Sequence, residues 1–185
     1  MIQDTLKSAQ EQMYRTIDAT REDFASVRTG RANPGLYSKV MVDYYGAMTP
    51  LQQLASFTTT DARTLLITPF DVSALRNIEK ALSESEVGAN PSNDGKVIRV
   101  VMPELTEERR KEYVKLVKNK AEEHKVSVRN ARRKAKEAID KAVKDGEVGE
   151  DEGTRGEKEL DAMTKKHTDT IEEMAKKKEA ELLEV

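Results

Sequence analysis

The chain has 185 residues, enough for one ordinary domain or two small ones, with 36% charged residues, 4% aromatics and no tryptophan, a balance that suits long helices better than a large aromatic core. Its formal net charge of −2 argues against a uniformly basic nucleic-acid coat, and the absence of cysteine excludes a disulfide framework, a thiolate nucleophile and a cysteine metal site. The opening MIQDTLKSAQEQ has an early acid and no apolar run, and no stretch approaches the roughly 20 apolar residues of a membrane span, so a soluble cytoplasmic protein is expected.

The first predicted element is a helix. Ile2, Leu6, Ala9, Met13, Ile17, Phe24 and Val27 recur at steps of three and four up to RTGRANPG. Residues 31–104 then change character. SKVMVDYYG, LASFTTT, TLLITPF and KVIRVVMP are short β-branched or aromatic runs bounded by Gly, Pro and Asn, which predict strands. SALRNIEKALSES sets Ala74, Leu75, Ile78, Ala81 and Leu82 at helical spacing behind a cap at Asp71 or Ser73, and GANPSNDG reads as a turn-rich loop. A small β/α/β unit (31–104) is therefore expected inside a helical domain (1–30 and 105–185). Gly30, Pro34, Gly35 and Pro103 punctuate the crossings near 30–35 and 103–105, and the chain returns at Leu105; a hinge and a rigid elbow both suit such residues.

The second long helix begins after Pro103, with Thr106 as N-cap and Glu107 and Glu108 at the positive end of the helix dipole. Val114, Val117, Ala121, His124, Val128, Ala131, Ala135, Ala138 and Ala142 form its seam to Asp145-Gly146, a helix about 60 Å long. After an acidic loop, GEVGEDEGTRG, a third helix places Leu160, Met163, His167, Ile171, Met174 and Leu182 on one face, with Lys178 interrupting it. Three such helices bury their seams most economically as a bundle, with a homo-oligomeric coiled coil as the competing arrangement.

Catalytic chemistry finds no foothold. GRANPGLY has two glycines at phosphate-loop spacing, but Leu36-Tyr37 stands where Lys-Ser/Thr is needed, and DGK (94–96) lacks the earlier glycine. The two histidines, His124 and His167, fall on helix seams without metal-ligand spacing. An enzyme is not favoured, and no cofactor or metal is implied.

Charge, by contrast, is segregated. Residues 105–145 carry 14 Lys and Arg against 8 Asp and Glu, a net of +6, while 146–185 carry 7 against 13, a net of −6. On a helical wheel Lys111, Lys115, Lys118, Lys125, Arg129, Arg132, Arg133 and Lys136 share a stripe roughly 100° wide, centred about 120° from the apolar seam. One reading is a solvated face paired with the acidic C-terminal helix, which would leave the protein a structural or adaptor module. The other is a grip on an anionic partner. Arginine rather than lysine in the densest part suits phosphate, and with no base-reading motif a folded RNA recognised by shape fits better than a DNA groove.

The ordered set VRTGRA (27–32), YYG (44–46), TPLQQLA (49–55), RTLLITPFD (63–71), GANPSNDGKVIRV (88–100), PELTEERRKE (103–112), VRNARR (128–133) and KEAELL (178–183) resembles the ribosome recycling factor family over essentially the whole chain. The resemblance implies an α+β, L-shaped molecule: a long antiparallel three-helix bundle carrying an inserted β/α/β domain through hinged crossings. It implies a bacterial, cytoplasmic, monomeric factor that binds the post-termination ribosome through large-subunit RNA. Such factors act with elongation factor G and GTP to separate the subunits, after which initiation factor three keeps them apart. VRNARR carries RNA contact onto Arg129, Arg132 and Arg133, foremost Arg132, with Lys125 and Lys136 as electrostatic support. RTGRA carries a second patch onto Arg28 and Arg31. Gly30 and Pro103 inherit the hinge, with Pro34, Gly35 and Leu105 beside them, and Tyr44 and Tyr45 fall on the side facing elongation factor G.

Overall fold

The computed structural model describes residues 1–85 and 90–184. Residues 88 and 89 of the predicted GANPSNDG loop lie outside that range. The element order is α1 (Ile2–Ala25), β1 (Met41–Tyr44), β2 (Ala47–Pro50), β3 (Ala55–Asp61), β4 (Thr64–Pro69), α2 (Leu75–Glu84), β5 (Pro91–Asn93), β6 (Ile98–Val101), α3 (Glu107–Lys144) and α4 (Glu150–Leu183). The chain divides into two compact units, one of residues 1–24 and 114–180, the other of residues 25–113 and 181–185.

The first unit is a three-helix bundle whose register can be read from its side-chain contacts. Lys125 meets Glu172, Arg132 meets Asp161 and Lys136 meets Glu157, so α3 and α4 run antiparallel. Tyr14 packs edge-on against His167, and a Cβ on Gly156 would meet Ile2, so α1 runs parallel to α4. Met13, Val117, Val128, Leu160 and Ile171 are fully enclosed. Thr106 caps α3 as predicted, its Oγ1 accepting from Arg109 N at 3.2 Å. Gly146, at φ +71°, ends it: Gly146 N donates to Val143 O and Glu147 N to Ala142 O, the paired bonds of a Schellman stop.

Three details depart from the sequence reading. Helix α4 starts at Glu150, so most of the predicted acidic loop is helical. Its glycines are required by close packing: a Cβ at Gly153 would lie 2.6 Å from Val143 Cγ2, and one at Gly156 would lie 2.9 Å from Ile2 Cγ2. Along α3, Ile139 is buried and Ala138 exposed, because at 3.6 residues per turn Ala138 has rotated out of the seam while Ile139 has turned into it. Lys178 does not break the α4 face; it is 7% exposed and lies within it, and Ala175 completes the stripe.

The second unit holds a four-stranded antiparallel sheet in the order β3-β4-β6-β5 and a separate β1-β2 hairpin. Alternation sends Leu65 and Ile67 of β4 and Ile98 and Val100 of β6 into the core, where they meet Leu75, Ile78 and Leu82 of α2. Asp71 Oδ1 accepts from Ser73 N and opens the turn leading into α2. Strand β2 was not foreseen. It forms because Tyr45 (φ 51°) and Gly46 (φ 81°) make a two-residue turn with both φ positive, the geometry that matches strand twist, with Asp43 accepting from Gly46 N. Strand β5 replaces part of the predicted loop, Pro91 pairing with Val100 at the sheet edge, where a missing N–H costs least.

Candidate nucleic-acid interface

Helix α3 brings Lys125, Arg129, Arg132, Arg133 and Lys136 onto one side of the bundle, but they do not form one uniform outward stripe. The edge nearer the apolar seam reaches across to α4. Lys125 is the clearest correction: its side chain is only 13% exposed, and its ammonium is bound to Glu172 and, at 3.3 Å, to Glu122. The hydrogen bond it donates to Glu172 holds the Lys125 ammonium above the usual lysine range, and the same bond holds the Glu172 carboxyl below the usual carboxylate range. Lys136 donates to Asp140 at 2.8 Å and lies 3.8 Å from Glu157; the Asp140 hydrogen bond raises its pKa. Arg132 donates through Nε to Asp161 Oδ1 at 2.7 Å, with 30% of its side chain exposed.

The opposite edge is free. Arg129 and Arg133 are exposed and have no ion pair or hydrogen-bond partner among the described residues, and the same holds for Lys115 and Lys118. On the wheel the paired residues lie at about −20° to −60° from Arg129 and Arg133 lies at about +40°, on the side away from the seam. Over residues 125–136 the stripe is thus split lengthwise into a neutralised edge and a cationic edge; nearer the start of α3 the division lapses, with Lys118 unpaired among the described residues at about −20° and Lys111 paired with Glu107 at about 0°.

In the second unit Arg28 is half-buried, its Nη2 reaching Pro103 O at 3.5 Å, while Arg31 is exposed and pairs with Glu184 at 3.4 Å. Lys111 pairs with Glu107 within the first turns of α3. Gly30 has φ +84°, and a Cβ there would approach Leu105 Cγ at 3.8 Å, so the two predicted crossings lie side by side. Pro34 begins a 3-10 turn capped by Asn33, and Gly35 is there because a Cβ would press on Ala25 at 3.0 Å rather than for conformational freedom. Tyr44 lies in β1 and Tyr45 in the turn. Their rings meet edge-on at 4.6 Å, the Tyr44 hydroxyl donates to Asp71 at 2.8 Å, and the Tyr45 hydroxyl lies 2.9 Å from Ser73 Oγ. Tyr45 is 78% exposed, which a packing residue is not.

The seam histidines are structural. His124 Nε2 bonds Asp23 at 2.8 Å and His167 Nδ1 bonds Met163 O at 2.7 Å. Among the described residues no three metal-ligating side chains cluster, and no helix is long and apolar enough to cross a membrane. Sequence reasoning missed Asp161, Glu157 and Glu172, the α4 acids that neutralise one edge of the stripe. Their signal was the net −6 of residues 146–185, but charge alone could not say which acid meets which base.

Comparison with known proteins agrees with this architecture. The family model for ribosome recycling factor matches residues 20–183. The ribosome-recycling factor of Micrococcus luteus is 88% identical over 185 residues, covering 100% of both chains, and that of Streptomyces avermitilis is 60% identical over the same span. A solution structure of the ribosome recycling factor superposes with a TM-score of 0.80 at 37% identity, covering 100% of this chain and 98% of the other. A second structure, of the T. thermophilus ribosome recycling factor and E. coli elongation factor G bound to the E. coli post-termination complex, gives 0.72 at 39% identity and covers 100% of both chains. A bundle of three long helices, an inserted antiparallel sheet and this extent of identity lead to one assignment: the chain belongs to the ribosome recycling factor family.

Proposed function

We propose that this chain grips the post-termination ribosome through large-subunit ribosomal RNA and, with elongation factor G and GTP, promotes its separation into subunits and its release from messenger RNA. The observation that carries the reading is the free cationic edge of α3. Arg129 and Arg133 are exposed and unpaired among the described residues, beside an Arg132 of which one nitrogen is held, in a chain whose net charge is −2. Two arginines kept out of the ion-pair network that absorbs their neighbours suit a phosphate surface. The factor contributes shape and grip rather than catalysis, acts as a monomer in the bacterial cytoplasm, and is succeeded by initiation factor three.

In the same reading the helical domain (1–30 and 105–185) and the inserted domain (31–104) move about the crossings at 30–35 and 103–105, with Gly30 beside Leu105 and Arg28 reaching the Pro103 carbonyl. The exposed Tyr45, fixed through Ser73, and Tyr44, fixed through Asp71, form the face offered to the elongation factor. The competing adaptor reading draws support from the pairing of Lys125, Arg132 and Lys136 with α4, but it leaves the unpartnered Arg129 and Arg133 without a purpose.

Co-sedimentation with purified large ribosomal subunits across a salt series tests the proposal. Binding is expected to fall steeply with salt, because phosphate contacts release counterions. A flat salt response contradicts an RNA grip and favours protein contacts.

A further inference from the structure

We propose that Asp161 is the positioning residue for Arg132, holding its guanidinium as a fixed fork toward RNA phosphate; this rests on the reading of Arg132 as an RNA contact. The carboxylate comes from the neighbouring helix, since α4 runs antiparallel to α3 and sets Asp161 opposite Arg132. Its Oδ1 accepts from Nε at 2.7 Å, the short length of a charge-assisted bond. Nε is the guanidinium nitrogen closest to the backbone. Fixing it sets the stem and the plane of the group, while Nη1 and Nη2 keep no protein partner among the described residues and stay available for two parallel bonds to one phosphate.

The neighbouring lysines show what distinguishes this pair. Lys125 and Lys136 each meet two acids, and an ammonium so bound offers little charge beyond the protein. Arg132 meets a single acid through one of its three nitrogens, so it is oriented without being consumed. Arg129 and Arg133 carry the same charge with no such restraint, and each must lose side-chain freedom on binding.

Asp161 also places a negative charge, 52% exposed, against a surface meant for a polyanion. Long-range electrostatics alone predicts that removing it tightens RNA binding; positioning predicts that removing it weakens binding. The two accounts differ in sign.

Equilibrium binding to large ribosomal subunits separates them, using the full chain and the variants Asp161→Ala, Asp161→Asn, Arg132→Ala and Asp161→Ala with Arg132→Ala, each checked by thermal melting. Asp161→Ala is expected to weaken binding about fivefold, the size of ordering one long side chain. Asp161→Asn keeps an oxygen that accepts from Nε while losing the charge, and should bind within about twofold of the parent or more tightly. In the Arg132→Ala background, Asp161→Ala should cost nothing further. Equal or tighter binding by Asp161→Ala overturns the proposal, as does a loss that persists without Arg132. If Arg132→Ala itself binds like the parent, the RNA-contact reading of Arg132 fails and the positioning role falls with it.

Discussion

The two edges of one helix carry the same kind of charge to different ends. On the seam-side edge of α3, Lys125 and Lys136 are tied to acids of α4 or of α3 itself, and they fasten the bundle. On the far edge Arg129 and Arg133 have no ion-pair or hydrogen-bond partner among the described residues, and Arg132 stands between the two classes, held at Nε and open beyond it. A count of positive charges treats all of these residues alike. What separates them is whether an acid lies within reach, on α4 or one turn away on α3 itself, and that decides whether a cation stabilises the fold or is left for a partner.

The comparison breaks most visibly if the free edge is removed. Replacing Arg129, Arg132 and Arg133 together with Ala is expected to weaken binding to large ribosomal subunits on the order of 100-fold, roughly one good contact's worth for each, with far-UV circular dichroism unchanged. Next in size is the paired edge. Glu172→Gln strips Lys125 of its main counter-ion and is expected to lower unfolding free energy by about 1 kcal/mol in chemical denaturation, a value kept small by the 44% exposure of Glu172.

The pH dependence of that contribution has a definite sign. The folded pKa of Glu172 is lowered, so its share is present above the unfolded carboxylate value and is lost as pH falls through the folded one. The folded pKa of Lys125 is raised, so its share is complete below the unfolded lysine value and is lost as pH rises through the folded one. Between those limits the difference between parent and Glu172→Gln should stay constant in denaturation series run at several pH values.

A finer contrast comes from single changes. Arg129→Ala should weaken ribosome binding about fivefold, whereas Lys125→Met should change it less than about twofold and instead shift the melting temperature. The smallest effect is on the salt slope of binding, which should fall by about one unit for Arg129→Ala and stay unchanged for Lys125→Met.

Much of this was legible beforehand, for physical reasons. The limits of α3 were written as a Thr cap, a first turn of acids and a glycine stop, all local signals. The core strands β4 and β6 announced themselves through Leu65, Ile67, Ile98 and Val100, since alternation is enforced by burial on one face. Tertiary contacts overrode local cues elsewhere. Gly153 and Gly156 lower intrinsic helix propensity and read as loop, yet they are the residues that let α4 approach Val143 and Ile2. Tyr45 gives no hint of a left-handed turn position until its hydroxyl is seen fixed against Ser73. The helical wheel placed every cation at its angle around α3. It gave no position for α4, and so Lys125 looked as free as Arg129.

Light scattering from purified post-termination ribosomes mixed with this protein, elongation factor G and GTP tests the central claim most directly. The arginine-edge account predicts a drop in scattering as subunits separate with the parent chain, and essentially none when Arg129, Arg132 and Arg133 are all alanine. An undiminished drop with that triple variant, or no drop with the parent, would contradict it.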